Sequence, residues 1–348
     1  MRKLLLLPHD LTLALVTALV LATGLMTATA ATACADEYQA KIGGGPIGGT
    51  FNTFANTMAV YIPKYLVNIK FFAVRSGGSV ENAKRVSSGE SQFGLCYAVD
   101  SALGADGKLP EDTNRYDGTR VLGFLYGASA QLVVRANSGI RSVRDLEGKC
   151  VAVGSAGSGA ATSAERFFRH LKIWEHLTPR FLGYSAAANA FKNGKIDAFW
   201  ILTGYPNRAV IEAGTQEDIR LIDVGVEAER SGFYKAYAYT PVTIPANTYG
   251  QGQPPCHTFQ DATFLCANQN VPAHVVHNVM TILWSPAGQE TMAAAKTTFR
   301  SMNLKNGFAG TGIPLHPGAV WFWREHGKTI PDRLDGHHGT GRHGAGGH

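Results

Sequence analysis

Three times in this chain a short apolar run breaks into a glycine-rich loop, and a helix-forming segment starts directly behind it. The loops are Gly43-Gly44-Gly45-Pro46-Ile47-Gly48-Gly49-Thr50, Ser76-Gly77-Gly78-Ser79 and Gly154-Ser155-Ala156-Gly157-Ser158-Gly159. A strand that hands over to a helix is the repeating unit of α/β sheets, so these junctions constrain the fold more than any bulk property. The first series reads as strand 40–42, helix 51–65, strand 69–74, helix 80–88 and strand 93–98. Strands over 121–128 and 131–136 follow and stop at the turn signal Asn137-Ser138-Gly139. A second series reads as helix 142–147, strand 151–153, helix 161–171, strand 181–184, helix 186–193 and strand 196–200. The extended, proline-bearing stretch 239–249 suits a return crossover, and strand 262–267 with helices 273–283 and 288–298 completes the body. Two such series predict an α/β protein of two similar lobes, with mixed, mostly parallel sheets joined by hinge crossovers. Residues 36–140 and 245–332 form one lobe and 141–244 the other.

The loops also carry chemistry. Glycine lets backbone approach a guest without a Cβ in the way. The helix behind each loop starts with unpaired N–H groups and a partial positive charge. Such helix starts hold carboxylates and phosphates without a lysine. In open α/β sheets guests sit at the carboxyl ends of strands, so a cleft between the lobes is the expected site. Arg75, at the end of the second strand, could pair with a carboxylate or stand in a surface ion pair. Tyr97, Tyr126 and Tyr205 follow strands and could wall the cleft or pack as plain core.

Other chemistries find little support. Gly43-x-Gly45-x-x-Gly48 matches the dinucleotide fingerprint formally, but Arg75 stands where an acidic residue would end the second strand. No Lys-Ser or Lys-Thr follows the glycines, so a Walker loop is excluded, and no cofactor is expected. The chain lacks Gly-x-Ser-x-Gly, Ser-x-x-Lys and His-Glu-x-x-His. A hydrolase built on Ser158 or Ser79 would need a base, and His170 stands about three turns along its helix, where it reads as facing solvent. No Cys/His spacing suits zinc, so no metal site is expected.

Residues 1–35 have the layout of a secretory signal peptide. Arg2 and Lys3 precede an apolar stretch from Leu11 to Leu21, and small residues run to Ala35. Cleavage fits either Ala31-Thr32-Ala33 or Ala33-Cys34-Ala35, and a lipid anchor on Cys34 is the alternative. The remainder, about 310 residues, is long enough for two cores. A hydrophobic fraction of 45% and a charged fraction of 17% are those of a globular protein. The net charge of +6 is scattered without a basic run, which argues against nucleic acid. Cys256 and Cys266 flank nine residues beside a Pro/Gly-rich segment; an oxidising compartment permits a disulfide there, and free thiols are the alternative. Cys96 and Cys150 sit in apolar runs and read as buried thiols. Residues 333–348, rich in Gly and His, read as a disordered tail.

Several stretches, taken in order, resemble the TAXI family of TRAP-transporter solute receptors. They are Ile42 to Thr50, Gly77-Gly78-Ser79-Val80-Glu81-Asn82, Ser138-Gly139-Ile140 with Asp145 to Lys149, Gly154 to Gly159, Gly194 to Phe199, and Leu315-His316-Pro317-Gly318-Ala319 with Arg324-Glu325. The resemblance implies a type II periplasmic-binding-protein fold and a non-enzymatic, periplasmic, monomeric receptor. Such a receptor passes an organic anion, a dicarboxylate or glutamate-like compound, to a sodium-coupled membrane permease. By position it implies that Gly49-Thr50, Gly78-Ser79 and Ser158-Gly159 line the guest and that Thr203-Gly204 approaches from the second lobe. The chain departs from the family pattern at Ala160-Ala161, at Ala98-Val99 and in the Cys256/Cys266 pair. A sensor or adaptor for a membrane signalling protein is the other non-enzymatic reading. His316, beside Pro317, reads as fixing a turn.

Overall fold

A computed structural model describes residues 37–335 apart from Glu111 and Glu217, so the signal-peptide reading of 1–35, Cys34 included, lies outside the described residues. The chain opens with strand β1 (Tyr38–Gly43), helix α1 (Thr50–Tyr61), strand β2 (Ile69–Val74), helix α2 (Ser79–Ser88) and strand β3 (Phe93–Tyr97). Helix α3 (Ala98–Asp106) leads into the 17-residue strand β4 (Thr119–Arg135). Then come β5 (Cys150–Ala152), α4 (Gly159–His170), β6 (Thr178–Arg180), α5 (Tyr184–Lys192), β7 (Ala198–Thr203), β8 (Ile219–Ile222), β9 (Thr240–Ile244) and β10 (Cys256–Asn268). Helices Ala273–Leu283, Pro286–Ala295 and Pro317–Glu325 close the body. Helix α1 shows why these segments are helical: Phe51, Phe54, Ala55, Met58 and Tyr61 recur at helical spacing and are buried.

The strands form one curled mixed sheet in the order β2-β1-β3-β10-β4-β7-β5-β6, with β8 added to β4 and β9 to β10. Its two long strands change partners half-way. β10 pairs with β9 over Cys256–Gln260 and with β3 over Thr263–Ala267. β4 pairs with β10 as far as Ser129 and with β7 from Ser129 onward. Two register shifts in the β4–β10 ladder accompany the bend, as an extra residue in one strand sharpens the local twist. These two antiparallel strands connect a first half of the sheet (β1–β3) to a second (β5–β7). Parallel ladders lie in the outer parts, at β1–β3, β5–β6 and β5–β7. The centre is antiparallel because chain segments that return between the halves run against their neighbours.

Several expectations are corrected. The two strands expected at 121–128 and 131–136 are one, since Ser129 and Ala130 stay paired and β4 runs through them. The strand expected over 181–184 lies earlier, at Thr178–Arg180, where pairing with β5 overrides the apolar pattern that follows. Cys256 and Cys266 are free thiols on one extended strand. Ten residues at about 3.3 Å each put them roughly 30 Å apart, whereas a disulfide needs Cα atoms within about 7 Å. Cys150 is only partly buried, unlike Cys96. His170 does not face solvent freely: it is half-buried, with Nε2 2.9 Å from the Ser231 carbonyl and its ring against Phe233. Residues 333–335 belong to the folded body. Leu334 is buried, its carbonyl accepts from Leu315 N, and Asp335 pairs with Arg324.

Candidate functional site

Five helices start around one small cavity at the carboxyl ends of the strands. Gly49 and Thr50 open α1, Gly78 and Ser79 open α2, and Tyr97 precedes α3. Ser158 and Gly159 open α4, and Tyr184 opens α5. The cavity measures about 20 Å³, room for about one water molecule, so a larger guest requires its walls to separate. Gly49, Thr50, Gly78, Ser79, Tyr97, Ser158, Gly159 and Thr203, all proposed from sequence, line it. Both halves of the sheet contribute.

Four of the expected residues stand elsewhere. Gly48 takes φ +84° in the turn behind Gly49, where its left-handed conformation shapes the loop without reaching the cavity. Arg75 is exposed at the end of β2 and does not line the cavity, because β2 is the outermost strand of the first half. Gly204 turns toward Thr298, and Tyr205 is half-buried beyond the lining. Pro46, Gly77 and Ser155, also lining residues, belong to the three loops singled out from sequence, whereas Phe51, Ala160 and Tyr184 lie outside them. Tyr184 was hidden inside an apolar run read as a strand. The helix signal beginning at Ser185 could have located it.

The two walls touch through polar contacts. Thr50 Oγ1 lies 2.9 Å from Thr203 Oγ1, with both buried. Tyr97 and Tyr184 both donate to the Leu202 carbonyl, at 2.6 and 2.8 Å. Burial raises the pKa of both phenols, so they remain protonated donors. Ser79 Oγ accepts from Tyr97 N at 2.8 Å, and Ser158 Oγ caps α4 by accepting from Ala161 N at 3.1 Å. The Glu81 backbone N–H, on α2, reaches the Gly157 carbonyl of the opposite loop at 3.3 Å. A Cβ on Gly77 would stand 2.6 Å from the Ala156 carbonyl, so only glycine lets these two backbones meet. No lysine or arginine is among the lining residues, which leaves backbone N–H groups, hydroxyls and helix starts as the groups that can hold a negative charge.

Directly behind Tyr97 and Gly159 lies a buried ionic cluster that sequence reasoning missed. Asp100 on α3 meets Arg166 on α4 at 2.7 Å, with side-chain exposures of 1% and 4%. Thr162 Oγ1 donates to the same carboxylate oxygen at 3.1 Å, and Arg166 Nη1 donates to Tyr239 OH at 3.1 Å. Asp261 on β10 accepts from Val99 N. Burial and then the Asp100 charge push the Asp261 carboxyl well above the usual range, so it is the protonated acid of the cluster. Burial works against the Arg166 charge, but Tyr239 and Asp100 outweigh it and raise the pKa. A carboxylate closing the apolar run before it, and an arginine beside Phe167-Phe168, were the available signals.

The curled mixed sheet closes a small cavity between its halves. Residues 42–327 match the model of the NMT1-like family, and the chain belongs to that family. Among solved structures it is similar to the periplasmic aliphatic sulphonate binding protein SsuA from Escherichia coli, at 15% identity over 83% of each chain and a TM-score of 0.43. It is also similar to MatC from Rhodopseudomonas palustris with bound malate, at 15% identity over 83% of this chain and 96% of that one, TM-score 0.48. The alkanesulfonate-binding protein SsuA from Xanthomonas axonopodis pv. citri bound to MOPS gives 16% identity over 84% and 85%, TM-score 0.42. Among the described residues no helix is long and apolar enough to cross a membrane.

Proposed function

We propose that this protein is a periplasmic solute receptor, monomeric and exported by residues 1–35, which holds a small organic anion between two lobes for a TRAP-type permease. A dicarboxylate or a glutamate-like compound is the proposed guest. The lobes divide within β4 and β10, the two strands that change partners, and those strands act as the hinge. Membership of the NMT1-like family supports the receptor reading in general, and the ordered TAXI-like stretches favour the TRAP assignment. One observation carries the choice of guest: helix starts from both halves of the sheet converge on one cavity that has no cationic side chain.

Binding rather than hydrolysis is supported by the state of the two candidate nucleophiles. The Ser79 and Ser158 oxygens each already accept from a backbone N–H, and His170 is engaged with Ser231. Neither serine has the positioned base that activation requires. The test is thermal stabilisation by L-glutamate, L-malate and succinate, read on the wild type and on Thr50→Ala/Ser158→Ala. The wild type gains melting temperature with at least one of the three, and the double variant loses that gain. Stabilisation retained in the variant moves the site elsewhere, and slow consumption of the compound would make the protein an enzyme.

A further inference from the structure

The α4 face that reaches the cavity does not end there. Ser158, Thr162 and Arg166 are spaced by four and stack along one side of the helix. Ser158 lines the cavity and caps the helix, part-buried Thr162 follows, and buried Arg166 stands a turn further on; Thr162 and Arg166 both reach Asp100 on α3. At the start of α3, the cap residue Tyr97 lines the cavity, and Asp100 follows three residues later, opposite Thr162 and Arg166. α3 packs on the first half of the sheet and α4 on the second. The Asp100–Arg166 pair therefore bridges the two halves, on the same interface that shapes the cavity.

We propose that Asp100 and Arg166 are positioning residues that lock the cleft shut in one register, a role that rests on the receptor reading above. The pair is too deep to be a surface ion pair of negligible effect. A closure that is out of register buries one charge without its partner, which is far costlier than an apolar mismatch. The interface therefore accepts one closed arrangement, the one that sets the Ser79 and Ser158 loops at their observed spacing. When the halves part, water reaches both side chains and the penalty disappears, so opening remains possible. The other groups around the pair are Thr162, Tyr239 and Asp261; Asp261 is the one further acid beside Arg166, held protonated by burial and by the Asp100 charge, and no second cation stands by to replace Arg166.

The test combines small-angle scattering with calorimetry on the full mature chain, using L-glutamate and L-malate as probes. Asp100→Asn and Arg166→Met each raise the radius of gyration without added compound and weaken probe binding by about tenfold or more, mainly through faster dissociation. The double variant loses no more than the worse single, because one contact is removed either way. Thr162→Val, which deletes the hydroxyl whose shortest contact is to Asp100 and which also reaches the Ser158 and Gly159 carbonyls, shifts both readouts in the same direction by about threefold in affinity. Near-ultraviolet circular dichroism checks that each variant is folded, and the Thr162 variant alone decides if the charged variants are not. Scattering unchanged with affinities within about twofold, or single losses that multiply in the double variant, overturns the lock. A wild type that binds neither probe, while the variants still expand, sinks the anion reading and leaves the lock standing.

Discussion

The first and third glycine loops are two copies of one device, and they differ at the residue that matters most. In both, a strand ends, a turn closes with an i to i+3 hydrogen bond, and a helix begins. The bonds are Gly49 N to the Pro46 carbonyl and Ser158 N to the Ser155 carbonyl, both 3.1 Å. Gly48 and Gly157 occupy the same left-handed position, at φ +84° and +71°. The cap residues also share a backbone, Gly49 at −85°/156° and Ser158 at −91°/151°. The side chains do not match. Gly49 offers no cap, so the first N–H groups of α1 stay available, and Thr50 reaches across to Thr203. Ser158 caps its own helix, and Gly159, at the position of Thr50, carries no side chain. The first half presents groups; the second half makes room for them. That division lets two similar loops close on each other without colliding.

The sharpest way to break the comparison is to give the second loop a side chain where the first has one. A Cβ on Gly159 would overlap the Tyr97 ring and stand 2.6 Å from Asp100 Oδ2, both on the opposite wall. Gly159 has ordinary helical dihedrals, and alanine is the better helix former, so α4 itself gains. Gly159→Ala is therefore expected to lose about 1–3 kcal/mol of stability by overpacking, less what the better helix former returns, while binding of L-glutamate or L-malate weakens about tenfold to a hundredfold. Calorimetry beside a thermal melt checks it. A variant that keeps both stability and affinity would mean that the walls absorb the new Cβ without moving apart.

A third cap in the molecule is of another chemical kind, and it titrates. His316 opens the helix Pro317–Glu325, with Nδ1 accepting from Gly318 N at 3.1 Å. The side chain is 1% exposed, and burial lowers its pKa to about 4. The unfolded chain, with the ordinary histidine value, binds the proton more readily. The stabilisation is thus complete above about pH 6.5 and is lost as pH falls toward 4, by about 3 kcal/mol. His316→Asn keeps a cap acceptor and cannot titrate, so urea unfolding should show a flatter dependence between pH 4 and 6.5 in the variant. Equal slopes would place the acid sensitivity in the carboxylates instead.

The parts legible in the sequence are those encoded within a few residues. Gly-Gly-Thr at 48–50, Gly-Ser at 78–79 and Ser-Gly at 158–159 announce a turn and a helix start, and each lies where its spacing predicts. Strand Ile69–Val74 likewise follows from an apolar run bounded by polar residues. What was illegible is set by distant pairing. Thr178–Arg180 is polar and exposed at its ends, and it is a strand only because β5 lies beside it. Asp100 and Arg166 are 66 residues apart, and nothing local to either says that the other is its partner. Arg75 illustrates the converse error: a cation at the end of a strand suggests a carboxylate partner, but the strand order puts it on the outer edge.

The finest test exchanges the caps themselves. Ser158→Ala removes the acceptor for Ala161 N and should cost about 1 kcal/mol in urea unfolding, whereas Ser158→Gly should cost only a few tenths. Gly49→Ser should recover a few tenths, because Ser158 carries a side chain on nearly the same backbone; the new Cβ makes a tight 3.1 Å approach to the Pro46 carbonyl, which has to ease slightly. The same substitution spends an N–H of α1 on the protein's own hydroxyl, so L-glutamate or L-malate should bind less tightly although the fold is firmer. Opposite movement of stability and affinity at residue 49 would show that the first loop presents donors. Parallel movement at both positions would mean that the two loops are equivalent, because a capped and an uncapped helix start would then serve the guest alike.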